Sequence, residues 1–308
     1  MGEGYAEVSV SVSTETAEAL GDYLFSEGAL GLITEDSLTG TSEIVIRASF
    51  PGTAPVEPIV QRLKQYQQSL AALGLPGADG RIEVGEIAAE DWARSWKEHF
   101  KPIPVGNRLL IAPPWAEGPF PGDRLVIRID PGMSFGTGHH VTTRMCLEAL
   151  EHFMESWVQT RGPVVLDVGT GTGILAIAPA VLGAERVVAL DTDPEACEAI
   201  TKNLALNRIA GRVHIVHGGV DALEPEMRFD LVLANLDTKS LSHLFDNLSA
   251  HLAPWGRVVA SGILVQEERT VSEAAEASGF QVTARRSEGE WLGLTLSPKG
   301  ESSGSSPG

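Results

Sequence analysis

Apolar and polar residues alternate along residues 5–12 (YAEVSVSV), as they do in a strand with one buried face. Residues 14–27 place apolar side chains at helical spacing, and this pattern ends before Gly28. The same criteria predict a helix at 56–73 and further strands at 30–35, 43–50 and 81–87. The order β-α-β-β-α-β predicts a small ferredoxin-like α+β domain over residues 1–90. Such a fold carries no chemistry of its own, so we expect this domain to bind a substrate.

A different pattern begins at residue 124, where strand-like and helical stretches alternate. This alternation is typical of a parallel sheet that is covered by helices on both faces. We predict strands at 163–168, 186–191, 213–217, 229–234 and 256–262, followed by a hairpin of 280–286 and 290–297 that turns at Gly289. Residues 124–298 are therefore predicted to form an α/β domain with a doubly wound, mainly parallel, Rossmann-like seven-stranded sheet.

Residues 91–123 separate the two patterns and are predicted to form an interdomain helix and a linker. The segment 90–100 spaces Trp92, Trp96 and Phe100 every four residues, which places their rings on one helix face. Packing between the domains is the plainest role for such a stripe. The rest of the segment is rich in Pro and Gly, as linkers often are. The tail, 299–308, is small and polar and is predicted to be disordered.

Length and charge narrow the class of protein. The 308 residues suit two domains, and the formal net charge of −18 argues against nucleic-acid binding, which needs clustered Lys and Arg. The acidity fits a basic partner, but it also fits an enzyme that is merely kept in solution. No signal peptide and no membrane span are evident, so we expect a cytoplasmic protein. Cys146 and Cys197 lack metal-type spacing and are expected to be buried, small apolar residues.

Residues 164–173 (VVLDVGTGTG) predict a strand that runs into a glycine loop, with a helix directly after it. Gly169, Gly171 and Gly173 let backbone N–H groups approach a ligand at the helix start. The dinucleotide fingerprint needs a glycine at position 174, which is Ile, and the G-K-[ST] of a P-loop is absent. The G-x-G-x-G spacing, with Asp167 two residues ahead, resembles the first motif of the doubly wound S-adenosylmethionine-dependent methyltransferases. A tight turn without a ligand is the alternative.

Three acidic residues lie at or shortly after the ends of the next two predicted strands. Asp191 ends a strand about 20 residues after the glycine loop, where a carboxylate can accept hydrogen bonds from both ribose hydroxyls. Asp193, just before Pro194, is predicted to cap the next helix. Asp221 lies in the GGVD segment, where related methyltransferases contact adenine, and a helix cap is the competing interpretation.

Asn235 ends the fourth predicted strand of this sheet, in the sequence FDLVLAN. In the doubly wound methyltransferases this position faces the transferable methyl group, and an amide there offers one acceptor and two donors. The next residues are LDT instead of the PPY of many nucleobase and glutamine-amide methylases, so a planar substrate would lack its stacking ring. This disfavours a nucleic-acid substrate, and a solvated turn is the alternative for Asn235.

Residues 130–143 (DPGMSFGTGHHVTT) combine three glycines, one aromatic residue, two histidines and paired threonines ahead of a predicted helix. Adjacent His139 and His140 cannot easily share one metal ion, and no third ligand has suitable spacing, so no metal site is predicted. We interpret the segment as a glycine-rich lid over the methionine end of the cofactor.

Together these segments resemble the methyltransferases of large-subunit ribosomal protein eleven. The likeness rests on DPGMSFGTGHHVTT, DVGTGTGILAI, ALDTDP, ANL at 234–236, SGIL at 261–264, EW at 290–291 and the EDWARSWKEHFKP stretch. It spans residues 90–297, and the β-α-β-β-α-β head is similar to the substrate-recognition domain of that family. Members often carry Cys at the position of Thr170 and Pro at that of Val141, so this chain departs from the family there.

The resemblance implies a class I S-adenosylmethionine-dependent enzyme that methylates lysine side-chain and N-terminal amines of ribosomal protein eleven, free or before assembly. It implies cofactor contacts at Thr143, Gly169, Asp191 and Asn235, under a lid formed by residues 135–138. The full set of predicted cofactor-binding residues is Phe135, Gly136, Thr137, Gly138, Thr143, Asp167, Gly169, Gly171, Asp191, Asp221 and Asn235, and Asn235 is also the predicted catalytic residue.

Methyl transfer from a sulfonium needs no metal, but a lysine must lose its proton before it attacks. Burial beside a positive sulfur lowers the pKa of that amine. No strong base is evident, so we expect Asn235 and backbone carbonyls to orient the amine while water takes the proton. Two alternatives stay open: a methyltransferase for a small molecule or another protein, and a non-catalytic adaptor.

Overall fold

A computed structural model describes residues 5–36, 43–72, 80–87, 100–120, 122–130 and 140–300. The chain divides into two units, Met1–Lys101 and Pro102–Gly308, each with its own core. No helix within the described ranges is long and apolar enough to cross a membrane.

The first unit has a four-stranded antiparallel sheet in the order β2-β3-β1-β4. Its elements are β1 (Tyr5–Ser13), α1 (Thr14–Ser26), β2 (Gly31–Asp36), β3 (Glu43–Pro51), α2 (Val56–Ala72) and β4 (Ile82–Ile87). Alternation along β1 buries Val8 and Val10, which share one core with Leu20 of α1 and Leu63 of α2. The predicted element order is therefore present. The helix predicted at 90–100, with Trp92 and Trp96, lies outside the described residues except for its last residue.

The second unit contains the seven-stranded, mainly parallel sheet that the sequence predicts, in the order β10-β9-β8-β11-β12-β14-β13. Five neighbouring strands are parallel, and β14 is antiparallel to β12 and to β13. The strands are β8 (Val164–Val168), β9 (Arg186–Asp191), β10 (Val213–His217), β11 (Phe229–Asn235), β12 (Leu252–Leu264), β13 (Phe280–Glu288) and β14 (Trp291–Pro298). The predicted hairpin turn at Gly289, whose φ is +59°, is confirmed.

Helices cover both faces of this sheet because successive residues of its central strands point to opposite sides. The helices are α3 (Val141–Ser156), α4 (Ile174–Leu182), α5 (Pro194–Leu206), α6 (Thr238–Leu248) and α7 (Glu268–Ala277). Val165 and Leu231 belong to the core that contains side chains of α3, α4 and α5, whereas Leu166 and Val232 belong to the core with α6 and α7.

Residues 102–123, predicted to be linker, instead belong to the second unit. They contribute β5 (Ile103–Val105) and β6 (Leu109–Ala112), which join β7 (Leu125–Arg128) in a three-stranded sheet. All four residues of β6 are buried. Strands of three or four residues are too short to show a period, and the flanking Pro and Gly residues dominate the local pattern.

The order of the parallel strands creates a switch point between β8 and β11. From β8 the chain moves outward through β9 to β10, and it then returns to β11 on the other side of β8. Crevices at such points, beyond the carboxyl ends of the strands, are where open α/β sheets bind ligands. Gly169, Asp191 and Asn235 all stand at this edge.

Candidate active site

The glycine loop after β8 is a tight turn that depends on the absence of side chains. Gly169, Gly171 and Gly173 have φ values of +71°, +51° and +85°. A Cβ atom on Gly169 would lie 2.5 Å from a methyl carbon of Leu236, and one on Gly173 would lie 2.4 Å from Ile200. The loop therefore brings its backbone close to β11 and α5 just before α4 begins.

Asp167 lies beneath this loop and is fully buried. Its Oδ2 accepts a 2.6 Å hydrogen bond from the hydroxyl of Thr170, while its Oδ1 has no partner among the described residues. Burial raises the pKa of Asp167 to about 7; nearby Asp191 also raises it, and the bond from Thr170 opposes the shift. The Thr170 hydroxyl thus stabilises the ionised form of Asp167 in this chain.

Asp191 ends β9 and is tied to the glycine loop. Its Oδ2 accepts from the N–H of Gly171 at 2.9 Å, and its Oδ1 accepts from the N–H of Asp193 at 3.0 Å. The side chain keeps a partly exposed surface, and each oxygen retains a second lone pair for a ligand. Asp193 accepts from the N–H of Glu195 at 2.8 Å with Pro194 at the first helical position, so its predicted capping role is confirmed.

Asp221 lies in a single 3₁₀ turn, Val220–Ala222, shortly after β10. The residue that caps this turn is Gly219, so the competing interpretation of Asp221 as a helix cap is wrong. Its side chain is exposed. The turn lies at the same edge of the sheet as Asp191, because Gly218, the residue that directly follows β10, donates its N–H to the Asp191 carbonyl.

Asn235 is the last residue of β11, and its amide is held by α3. Its Nδ2 donates to the hydroxyl of Thr143 at 3.3 Å, and Thr143 is itself buried. Its Oδ1 is buried without a hydrogen-bond partner in the described part of the chain. The interpretation as a solvated turn is therefore wrong, because the amide oxygen is buried and the amide nitrogen donates to Thr143.

Gly262 packs closely against the end of β11 because it has no side chain. Gly262 has a φ of +84°, and a Cβ atom there would lie 2.6 Å from the carbonyl oxygen of Leu236 and 3.1 Å from Asn235 Oδ1. The Leu236 N–H donates to the carbonyl of Ser261 at 3.0 Å, which ties the two strand ends together. Two acceptor oxygens thus lie beside Gly262, and a pair of acceptors suits a donor with two N–H groups.

Leu236 and Gly262 were given no role from the sequence. The only local signal was a glycine following a strand in SGIL, which indicates a close backbone approach without saying to what. The two oxygens belong to the last residue of β11 and to the residue after it, and β11 pairs with β12 in space.

The predicted lid residues Phe135, Gly136, Thr137 and Gly138 lie outside the described residues, as does His139. His140 caps α3: its Nδ1 lies 2.6 Å from the hydroxyl of Thr142. No group of three potential metal ligands occurs within the described ranges. Cys146 is buried, whereas Cys197 is partly exposed, so the expectation of burial was wrong for Cys197, which stands on the outer part of α5.

Comparison with known proteins adds independent information. A family model described as ribosomal protein L11 methyltransferase (PrmA) matches residues 4–299. The ribosomal protein L11 methyltransferase of Pelobacter propionicus is 36% identical over 303 residues, covering 94% of this chain and 96% of its own. That of Geobacter sp. is 39% identical over 304 residues, covering 95% and 97%. The crystal structure of a ribosomal protein L11 methylase from Lactobacillus delbrueckii subsp. bulgaricus has a TM-score of 0.59 and 33% identity, covering 65% of this chain and 100% of that chain.

Proposed function

The chain belongs to the ribosomal protein L11 methyltransferase family, and on this premise we propose that it transfers methyl groups from S-adenosylmethionine to lysine side-chain and N-terminal amines of ribosomal protein L11. The observation that carries the proposal is the pair of oxygens beside Gly262, Asn235 Oδ1 and the Leu236 carbonyl. Free ribosomal protein L11, before its assembly into ribosomes, is the proposed substrate, and the cytoplasm is the proposed compartment.

The residues at the switch point suit S-adenosylmethionine. When bound, this cofactor supplies an electrophilic methyl group on a positively charged sulfur. Oδ1 of Asp167, which has no partner among the described residues, suits a cationic group, and the partly exposed carboxylate of Asp191 suits the ribose hydroxyls. We assign adenine to Asp221, and further cofactor contacts to Thr143, Gly169, Gly171 and Asn235. Residues 135–138, which are outside the described ranges, complete the proposed site as its lid.

The chemistry assigned to the protein is the orientation of a neutral amine. A neutral primary amine has two N–H donors and one lone pair, and the two acceptor oxygens beside Gly262 would take both donors. The lone pair then points away from both oxygens, and holding it there lowers the entropic part of the barrier. An amide such as that of Asn235 does not accept a proton at neutral pH, so the proton of the lysine is assigned to water.

We further infer that the first unit is a ferredoxin-like domain that recognises the ribosomal protein. Its β-α-β-β-α-β order and its β2-β3-β1-β4 sheet support this assignment. Residues 1–90 are the proposed recognition domain, and residues from 124 to 298 form the core of the proposed catalytic domain.

Mass spectrometry tests the function. Ribosomal protein L11 incubated with the full chain and S-adenosylmethionine should gain mass in steps of one CH₂ unit, and it should gain none when the cofactor is omitted. Consumption of the cofactor with no gain would favour a small-molecule or other protein substrate. Absence of both would favour a non-catalytic adaptor.

Two substitutions separate the proposed roles of Asn235 and Asp191. Asn235→Ala should lower kcat at saturating cofactor by about 100-fold, the cost expected when the reacting groups lose their alignment, and this loss should exceed the change in cofactor affinity. Asp191→Ala should weaken cofactor binding, measured by calorimetry, by about tenfold or more because it removes charge-assisted hydrogen bonds. Full turnover in Asn235→Ala would show that the orienting role is wrong.

A further inference from the structure

Thr143 and Asn235 are 92 residues apart in the chain and meet at one hydrogen bond. Thr143 lies in the first turn of α3, and only 1% of its surface is exposed. Its hydroxyl oxygen accepts the Asn235 Nδ2–H at 3.3 Å. This contact reaches only the amino side of the amide and leaves the carbonyl side untouched.

An Asn side chain can turn its amide by half a rotation, which exchanges donor and acceptor. With Nδ2 engaged by Thr143, Oδ1 lies beside Gly262, where a Cβ atom would lie 3.1 Å from it. A reversed amide would place its N–H groups on that side, where the Leu236 carbonyl could accept one of them. Reversal would therefore occupy one acceptor and replace the other by a donor.

The position of Thr143 is itself fixed by the start of α3. His140 caps the helix because its Nδ1 accepts from the backbone N–H of Thr142, and the Arg144 guanidinium forms a 2.5 Å ion pair with Glu288 at the β13–β14 hairpin. The His140 ring also meets the ring of Trp291 edge-on, with centroids 5.0 Å apart. The threonine hydroxyl is thus a fixed point against which the amide of a strand-end residue can be set.

We propose that Thr143 is a positioning residue whose hydroxyl sets the orientation of the Asn235 amide so that Oδ1, rather than the amino group, receives the substrate amine. This inference rests on the proposed function, because it presumes that Asn235 orients an amine. It gives Thr143 a task directed at the methyl acceptor, separate from any contact with the cofactor.

The first test compares two variants of Thr143 with a neighbour in the same turn. Thr143→Val keeps the shape and removes the hydroxyl, and we expect kcat with ribosomal protein L11 at saturating cofactor to fall by about tenfold to 100-fold, a larger change than that in the cofactor Kd. Thr143→Ser should recover most of that loss. The matched control, Thr142→Val, removes a buried hydroxyl that pairs with His140 and should keep kcat within about threefold.

A second readout needs no turnover. In enzyme labelled with ¹⁵N-asparagine, the side-chain NH₂ signal of Asn235 is assigned by its loss in Asn235→Ala. It should move in Thr143→Val and stay in place in Thr142→Val. Because the proposed role acts through Asn235, adding Thr143→Val to Asn235→Ala should lower kcat no further.

Each other outcome overturns the inference. A tenfold weaker cofactor Kd with unchanged kcat would make Thr143 a cofactor ligand only. Equal losses in Thr142→Val would trace the effect to the helix start. If the wild-type chain adds methyl groups to ribosomal protein L11 but Thr143→Val is equally fast, only this inference fails; if the wild-type chain adds none, the proposed function fails first.

Discussion

Asp167 is the residue in which burial and chemistry are most closely linked. Its carboxyl is fully buried, and one oxygen lacks a partner among the described residues. Burial raises its pKa to about 7 from an ordinary value of 3.8, so the folded protein keeps a proton that the unfolded chain releases. The free energy of unfolding therefore depends on pH through this carboxyl group.

Asp167→Asn tests this linkage. Between about pH 4 and about pH 7 the folded wild type holds one more proton than the unfolded chain, so its stability falls as pH rises through that window and levels off above it. The Asn variant lacks this titration. Its stability relative to wild type, from urea unfolding at several pH values, should therefore rise across the window. A constant difference from pH 4 to pH 7 would mean that Asp167 is already ionised in the fold.

At the scale of elements, the tip of the β13–β14 hairpin supports the start of α3. The Arg144–Glu288 ion pair is partly exposed, and such pairs contribute about 0–1 kcal/mol. The aromatic contact between Trp291 and His140 is therefore expected to contribute more to this support, since it also buries apolar surface. Thr143 is the residue before Arg144, so we expect the hairpin to help hold Thr143 in place beside Asn235.

Trp291→Ala should loosen the first turn of α3. We expect faster hydrogen exchange for the backbone amides of residues 143–146, by about tenfold for a loss of roughly 1.4 kcal/mol in local stability. Trp255→Ala is the matched control, because Trp255 is also partly exposed but bonds to Asp230, on other elements. Unchanged exchange in Trp291→Ala would show that the helix start is held without the hairpin.

At the scale of the whole molecule, net charge is the property that bears on substrate capture. The chain carries 41 Asp and Glu against 23 Lys and Arg, a formal net charge of −18. Charge of this size attracts a basic partner over a distance that salt shortens. The sequence left open whether this acidity serves binding or only keeps the chain in solution.

Salt dependence decides between these roles. If the acidic surface attracts ribosomal protein L11, KM for that substrate should rise several-fold between roughly 0.05 M and 0.5 M NaCl, because screening acts on charges outside contact range. The cofactor Kd, measured in the same buffers, should change less, because screening weakens attraction between separated charges more than contacts within a bound site. A KM that does not respond to salt would assign the charge to colloidal stability alone.

The sequence alone determined the features that are local in the chain. Strand ends and glycine loops obey short-range rules of period and backbone conformation, so β8, β9 and β11 were predicted to within a few residues, together with Asp191 and Asn235 at their ends. The capping role of Asp193 was likewise readable, because a cap involves only its own helix. The short strands β5 and β6 were missed, because their stability comes from pairing and burial in space.

Only the tertiary structure decided how these features combine into a site. The strand order brings β8 and β11 together, and the packing of α3 places Thr143 against Asn235 across 92 residues. The orientation of the Asn235 amide, the Asp167 oxygen that lacks a partner among the described residues and the close packing at Gly262 all depend on such long-range neighbours. No periodicity encodes them, because a hydrogen bond between distant residues depends on where the fold places both segments of the chain. The sequence therefore determined which residues reach the edge of the sheet, and the fold decided which of their atoms face a substrate.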